Sequence, residues 1–469
     1  MRRLLLPAAM LLVLMMPAGC ATYYQKNYKF FMAFENGNMK EASSVIQKAK
    51  PGRHNREKLL YYMNSGTVHS IMGEYEQSNK DFEEAYRLSE DYATNYVNEG
   101  LAFLVNPTVV DYKGEDHEIL LIHYYMALNY LKMGLPNEAL VECKRMNDLL
   151  NRLSDKYKSD NKYKRDAFVH NLMGIIYDVN SDPNNAFIAY RNAYNIYQDD
   201  YSRLFKLSAP EQLKRDLIRT AYQSGFADEG SRYEAQFNMK NQPVQRGNGE
   251  LVFLWHNGLG PVKDEWGINF TIIRGSGGMV TFHNEDMGLN FPFYLGEDEK
   301  DKAKGLARLE FIRVVFPKYQ ERAEVFTGAK LEWNGRSIPL EKGIDVNAVA
   351  YKTLDERFLA EMGKSLLRVA IKKVEEESLR RKNQDAGAVL GLINAITEKA
   401  DTRNWQTLPH SISYARISMP AGDQKVDFTA IANNGAKNDV QSFTYNVKAG
   451  QTIFQTQSSL DYVHMPIHY

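Results

Sequence analysis

The pattern of apolar and polar positions divides the chain near residue 240 into a helical half and a half rich in strands. Upstream, apolar residues recur at helical spacing from Phe30 onward. Downstream of Gln242-Pro243, apolar and polar residues alternate with a period of two in short runs such as ELVFLWHN. At 469 residues the chain is too long for a single hydrophobic core. The pattern therefore predicts an α+β protein with more than one domain.

The segment from His170 to Tyr197 shows the pattern of the helical repeat unit most clearly. Small and aromatic residues follow one another at spacings of 3, 9, 4 and 3, at Gly174, Tyr177, Ala186, Tyr190 and Ala193. This spacing resembles the tetratricopeptide (TPR) repeat, in which a small residue on one helix lets an aromatic ring on the next approach closely. Related units at Phe30, Gly66 and Ala127 precede Gly174 at intervals of 36, 61 and 47 residues. Because the TPR period is about 34 residues, the array is degenerate.

The TPR resemblance also implies a binding groove, since outward positions on the first helix of each unit line a concave surface in that fold. The implied groove residues are Met63, Thr67, Ser70, Tyr124, Leu128, Leu131, Asn171, Ile175 and Asp178. They are mixed apolar and polar, which favours an extended or helical protein segment as the ligand. The alternative is that the chain fills this groove with its own downstream segment.

The N-terminus predicts a lipoprotein signal peptide over residues 1–19. Two arginines precede an apolar run that ends at Met16 and is too short to span a bilayer. Pro17-Ala18-Gly19-Cys20 then resembles a bacterial lipobox, which implies that Cys20 is acylated and becomes the first mature residue. Two or three acyl chains would hold the protein on a membrane. Ala21 resembles the residue that sorts lipoproteins to the outer membrane, so we expect a protein facing the periplasm.

The second half predicts a β-sandwich-like domain that is interrupted by helices. Strand patterns over 249–345 stop at a strongly helical stretch, and they resume over 401–469 between glycine-rich turns. The stretch 346–400 is predicted to form a helical hairpin inserted in the β domain, with its second helix from Ala386 to Lys399. The domains expected are therefore a signal peptide, a TPR-like region over 20–240, and this interrupted β domain.

Two motifs in this half are distinctive. Asn257-Gly258-Leu259-Gly260-Pro261-Val262-Lys263 follows the first strand, and a segment with Asp401, Arg403 and Trp405 leads into the late strands. Together with the lipobox and the degenerate repeats, they resemble a family of uncharacterised bacterial TPR lipoproteins. The genes of that family often neighbour lipoproteins of the penicillin-binding-protein-activator type. The second motif is interpreted as a corner that locks domains together, with a ligand pocket at Trp405 as the alternative.

Composition and spacing argue against several kinds of chemistry. Lys+Arg and Asp+Glu both total 58, so no overall field favours nucleic acid. His117-Glu118 and His123 match no metal-site spacing, and the turn from His283 to Asp286 is interpreted as hydrogen bonded. Cys143 is expected to be a small buried residue of an amphipathic helix. We therefore expect no metal, no cofactor and no enzymatic activity.

These observations predict a non-enzymatic adaptor of the bacterial envelope. Cys20 would anchor it, and the helical groove would bind an unidentified envelope protein. The alternative is a peptidoglycan-associated factor or a cell-wall-synthase activator that binds glycan or the synthase. A third hypothesis, a metal-dependent enzyme at the His283 to Asp286 turn, predicts a bound metal.

Overall fold

The computed structural model describes residues 22–49, 56–94, 110–156, 163, 165–243, 245–275, 279–294, 311–382, 399–433 and 438–461. The predicted signal peptide and Cys20 lie outside the described residues, and so does almost all of the helix expected from Ala386 to Lys399. The described chain is of the α+β class, with helices followed by mixed sheets. None of its described helices combines the length and the apolar character that a membrane crossing requires.

The helical region is an array of helix pairs joined by short turns. Its helices are α1 (Tyr23–Lys26), α2 (Tyr28–Glu35), α3 (Met39–Lys48), α4 (Lys58–Ile71), α5 (Tyr75–Thr94), α6 (Asp116–Lys132), α7 (Pro136–Lys156), α8 (Ala167–Val179), α9 (Pro183–Ile196), α10 (Ser202–Leu204), α11 (Glu211–Gln223) and α12 (Ala227–Phe237). The pairs are α2/α3, α4/α5, α6/α7, α8/α9 and α11/α12. A π-helical turn, Tyr197–Tyr201, connects α9 to α10.

The close approach of paired helices depends on glycine. A Cβ on Gly174 would lie 2.4 Å from the Tyr190 ring, and a Cβ on Gly66 would lie 2.8 Å from the Phe82 ring. Asp182 caps α9 by accepting the Asn185 backbone N–H at 3.1 Å, directly before a proline at the helix start. The small-to-aromatic contacts expected from the sequence spacing are therefore confirmed in these two pairs.

Twelve strands form three four-stranded sheets in the described chain. The strands are β1 (Asn248–Asn257), β2 (Val262–Arg274), β3 (Met279–Asn284), β4 (Leu289–Tyr294), β5 (Phe311–Gln320), β6 (Phe326–Trp333), β7 (Arg336–Pro339), β8 (Glu341–Asp345), β9 (Ser411–Pro420), β10 (Gly422–Ala432), β11 (Asp439–Val447) and β12 (Thr452–Ser458). The central sheet has the order β12-β1-β9-β8, the second β11-β10-β6-β7, and the third β4-β3-β2-β5.

The central sheet is a layer between the helical array and the second sheet. Side chains of β1 alternate between its two faces. Val252 and Leu254 belong to the buried cluster that contains the helices, whereas Phe253 and Trp255 belong to the cluster shared with the second sheet. The chain therefore changes from helices to strands between Phe237 and β1, but helices and strands share one hydrophobic core.

The central sheet combines strands from before and after α13 (Val346–Lys382). β1 pairs with β9 in antiparallel register, Val252 opposite Arg416, and with β12 in parallel register, Val252 opposite Phe454. The last described strand therefore completes the sheet beside the first one. The sequence pattern does not predict this parallel pairing.

The helix α13 packs on the third sheet. Its side chains Met362, Leu366 and Val369 share a buried cluster with residues of β2, β3 and β5, including Phe270 and Phe316. This helix corresponds to the first half of the predicted helical hairpin. Strands β2 and β3 of this sheet pair in antiparallel register, and residues 276–278 between them lie outside the described residues.

Candidate functional site

The face of the array that carries the predicted groove residues is covered by the chain's own strands. Of the predicted groove residues, seven are buried and two, Ser70 and Asp178, are half-buried. The buried ones are Met63, Thr67, Tyr124, Leu128, Leu131, Asn171 and Ile175. This corrects the prediction that they line an open groove, because the downstream strands pack against them. The self-filled groove, kept as the alternative in the sequence analysis, describes the structure.

Each of three groove positions contacts a different part of this cover. The Thr67 hydroxyl oxygen accepts the indole N–H of Trp405 at 3.2 Å. Tyr124 shares a 2.9 Å hydrogen bond with His256 of β1. Asp178 forms an ion pair with an arginine of β9. These contacts lie on α4, α6 and α8, so the cover is bonded along the array rather than at one end.

The Asp401, Arg403 and Trp405 motif inserts into the array. Trp405 is only 1% exposed, and its indole N–H also reaches the Thr407 hydroxyl at 2.8 Å. Asp401 holds Arg403 through two hydrogen bonds of 2.8 and 2.7 Å, and Arg403 lies over the Tyr112 ring. A buried tryptophan cannot serve as a stacking platform for glycan. The structure therefore favours the interpretation as a locking corner over the ligand pocket at Trp405.

The glycine-rich motif after β1 lies against this corner. The Gly260 N–H donates to the Leu408 carbonyl at 2.6 Å, and the His410 N–H donates to the Asn257 carbonyl at 2.9 Å. At Gly258, φ is +61° and a Cβ would approach His410 to 3.1 Å, so this turn suits glycine in two ways. The two motifs that stand out in the sequence therefore form one contact.

A buried charge cluster joins β9 to the array. Arg416 donates to Asp178 at 2.8 Å, to Asp216 of α11 at 3.1 Å and to Glu250 of β1 at 2.5 Å. Arg219 of α11 also donates to Asp216, at 2.9 Å. Burial alone would raise the pKa of Asp178, but Arg416 and then Arg219 hold it below its ordinary value. The Asp178 carboxylate is therefore charged and depends on these two arginines for compensation.

Sequence reasoning misses Arg416 as a site residue. The residue stands in the run SISYARISMP, where it resembles an outward polar position of a strand with one solvent-facing side. Its partner Asp178 is 238 positions away in the chain. The available signal is a single arginine among apolar residues of a strand, which is compatible with a strand buried on both faces.

A second buried cluster connects α6, β2 and α13. Glu115 pairs with Lys263 of β2 and with Arg357 of α13. Glu118 accepts the Trp405 backbone N–H and the Tyr112 hydroxyl, both at 2.6 Å. Burial, followed by the negative charge of Glu115, raises the pKa of Glu118 to about 7. This carboxyl group therefore titrates near neutral pH inside the contact between array and strands.

The residues considered for metal or thiol chemistry lie apart from one another. His123 forms a 2.7 Å pair with Glu142 inside the array, and His283 hydrogen-bonds to a neighbouring strand at 2.8 Å. Within the described ranges, no group of three or more His, Cys, Asp or Glu side chains is placed to hold a metal ion. Cys143 is buried, and burial raises the pKa of its thiol. A buried thiol of this kind is a poor nucleophile.

An open groove lies on the other side of the array, between α5 and the α6/α7 pair. We call it the outer groove; it has a volume of about 680 Å³ and is lined by Glu76, Asn79, Lys80, Glu83, Met126, Tyr130, Met133, Leu135, Glu138, Val141, Glu142 and Arg145. Leu135 is 40% and Val141 is 50% exposed. Arg145 already pairs with Glu83 at 3.3 Å and with Glu142 at 3.2 Å. The outer groove thus combines exposed apolar side chains with an excess of carboxylates.

Comparison with solved structures finds helical-repeat proteins of low identity. The apo form of RapI is 14% identical with a TM-score of 0.34, over 46% of this chain and 52% of that one. MamA is 14% identical with a TM-score of 0.28, over 44% and 89%. A putative kinesin light chain of Podosopora anserina with nearly identical TPR-like repeats is 12% identical with a TM-score of 0.30, over 45% and 90%.

These matches are limited in extent. The chain spans about half of the RapI chain, 52%, and each of the three matches covers less than half of this chain. No protein-family model matches the sequence, and no curated protein matches it. With TM-scores from 0.28 to 0.34, these matches identify no ligand for this protein.

Proposed function

We propose that the protein is a lipid-anchored, non-enzymatic adaptor of the bacterial envelope that binds its partner through the outer groove. The anchor would be Cys20, in the outer membrane, with the described chain facing the periplasm. The strands would act as a sandwich-like cover that rigidifies the array. The partner would be an envelope protein, and a cell-wall synthase bound in this groove would make the adaptor its activator.

One observation carries the choice of surface. The concave residues are buried under the central sheet, whereas Leu135 and Val141 in the outer groove are 40% and 50% exposed. Exposed apolar side chains that line a groove together are typical of protein-binding surfaces. A partner can reach the outer groove without displacing the buried charge clusters.

The charges of the outer groove specify the chemistry of the partner. Its lining has four glutamates against Lys80 and Arg145, and Arg145 is already shared by two of those glutamates. The lining therefore has two more acidic than basic side chains, beside its apolar ones. A helix with an apolar face flanked by lysine or arginine is complementary to this surface.

Site-specific crosslinking in intact cells tests the proposed surface. A photo-crosslinking residue replaces Val141 in the full-length protein, and a matched variant carries it at Val440, which is 60% exposed on β11 of the second sheet. We expect one envelope protein to be captured from position 141 only, through a basic amphipathic peptide. Val141→Asp should abolish its co-purification, whereas Val440→Asp should preserve it.

Two results would contradict the proposal separately. Equal capture from both positions, or capture through an acidic segment, would reject the outer groove. For the anchor, Cys20→Ala should move the protein from the membrane fraction to the soluble fraction. Retention of that variant on membranes, with processing unaffected by globomycin, would reject the lipid anchor but leave the groove untouched.

A further inference from the structure

A second cavity lies where the described chain begins. It has a volume of about 390 Å³ and is formed by α1, α2, α3 and α4. Its apolar lining includes Phe30, Val45 and Ile46, and Lys26 and Lys29 stand at its rim with exposed side chains. Glu57 also lines the cavity, and its carboxylate lies 4.0 Å from the Lys26 ammonium group. The two lysines therefore outnumber the one carboxylate of the lining. The cavity is distinct from the outer groove, which lies between α5 and the α6/α7 pair.

A buried hydroxyl group gives this cavity a polar attachment point. Tyr23 lines the cavity and is 95% buried, since its exposed fraction is 5%. Its hydroxyl oxygen accepts the Asn64 amide N–H at 3.1 Å. This hydrogen bond uses a lone pair of the hydroxyl oxygen and does not use its proton. Burial raises the pKa of Tyr23, so the hydroxyl keeps this proton and can donate it to a ligand.

We propose that this cavity binds an anionic phospholipid of the membrane that carries the protein. The lysines would bind the phosphate, the Tyr23 hydroxyl would donate to a headgroup or ester oxygen, and an acyl chain would lie against Phe30 and Val45. The exposed Tyr28 beside the lysines suits the headgroup layer, where tyrosine side chains concentrate.

The position of the cavity in the chain supports a lipid over other anionic ligands. Cys20 is two residues from Thr22, so its acyl chains attach within about 7 Å of the start of the described chain. The inference rests on the proposed function here, because only an acylated Cys20 would hold the cavity close to the membrane. A lipid-binding cavity at this point would add a second membrane attachment to the acyl chains on Cys20.

Vesicle co-sedimentation tests the proposal without the anchor. The chain from residue 20 onward with Cys20→Ala is mixed with phosphatidylglycerol vesicles or with phosphatidylcholine vesicles. We expect binding to phosphatidylglycerol only, and about tenfold weaker binding after Lys26→Ala plus Lys29→Ala. Tyr23→Phe should also weaken binding, whereas the matched controls Lys330→Ala plus Lys425→Ala and Tyr294→Phe should bind as the parent chain does.

Each contrary outcome has a defined meaning. Equal binding to both vesicles, or binding unchanged in the lysine variant, would overturn the lipid site. Release by inorganic phosphate at constant ionic strength would show a free-phosphate site and would also overturn it. If Tyr23→Phe fails to fold, the lysine variant decides, because both lysines are exposed. Failure of the anchor appears in the Cys20→Ala fractionation and not in this assay.

Discussion

One face of the helical array is covered by the rest of the chain, and another is exposed to solvent. The concave face, expected to bind another protein, is covered by strands of the same chain and bonded to them through buried charges. The outer groove keeps exposed leucine and valine side chains beside three exposed glutamates, Glu76, Glu83 and Glu138. Similar helix pairs therefore serve as a structural support on one face and as an open surface on the other.

The difference shows that a groove pattern in the sequence identifies a surface but not its occupant. Tyr124 and Asp178 are suitable for binding a polar and aromatic ligand, and that ligand is supplied by β1 and β9. Covering this face removes the charged groups around Arg416 from water, which costs free energy. Well-aligned ion pairs and hydrogen bonds between these groups must offset that cost. Perturbing each face should therefore have very different effects.

The largest expected effect is the loss of Arg416 from the covered face. Arg416→Ala leaves the buried Asp216 and the partly buried Asp178 and Glu250 with one arginine fewer. Breaking such a cluster costs about 3–5 kcal/mol. The free energy of unfolding from chemical denaturation measures it. The matched change in the outer groove is Arg145→Ala, whose side chain is 39% exposed, and it should cost less than about 1 kcal/mol. Equal losses would remove the distinction between the faces.

A smaller effect is expected inside a helix pair beneath the cover. Gly174→Ala would place a Cβ 2.4 Å from the Tyr190 ring, and overpacking of this kind costs about 1–3 kcal/mol. Gly328→Ala on β6 is the control, because its Cβ would meet no atom within 4 Å. Thermal unfolding of both variants should show a clear loss for Gly174→Ala only. An unchanged melting temperature would mean that the pair can separate without consequence.

The smallest effect concerns pH and the contact at Trp405. The pKa of Glu118 is raised to about 7 from an ordinary 4.5, so the folded state holds this proton more tightly than the unfolded state. Its contribution to stability is present below the ordinary value and is lost as pH rises through 7. Glu118→Gln should therefore flatten the decline in unfolding free energy between pH 5 and 8 by on the order of 1 kcal/mol. Parallel curves for the two proteins would exclude Glu118 as the titrating group.

Contributions from the buried histidines should cancel in that comparison. Burial lowers the pKa of His117 to about 3 and that of His256 to about 4. The neutral forms of both histidines stabilise the folded state at pH values above their ordinary pKa of 6.5. This contribution is lost as the pH falls from 6.5 towards the lowered pKa values of the folded state. They are present in the parent and the variant alike, so the difference curve reports Glu118.

Much of the fold is readable from local sequence because local chemistry determines it. The contact of Gly174 with Tyr190, the buried Cys143 and the strands of the second half follow from spacing within a few turns or strands. The corner at Trp405 is also recognisable, since an acid, an arginine and a tryptophan in close succession suit a packed turn. The segments that cover the groove cannot be identified from local sequence patterns.

The remaining features depend on partners far apart in the chain. Lys263 and Arg357 meet at Glu115, although 148 and 242 positions separate them from it. The third sheet packs on α13 through residues that only the tertiary fold brings together. A strand with one arginine has the same pattern whether that arginine faces water or a buried acid. The charge clusters therefore could not be assigned without the structure.

The parallel pairing of β12 with β1 determines when the fold can be completed. A chain that emerges from its N-terminus forms the helix pairs early, since their contacts are local. The central sheet gains its last strand only when Thr452–Ser458 arrives. Until then the array would hold an uncovered apolar face, the kind of intermediate that aggregates and attracts chaperones. The late strand therefore prolongs this hazard during synthesis, and truncation near the C-terminus would extend it further.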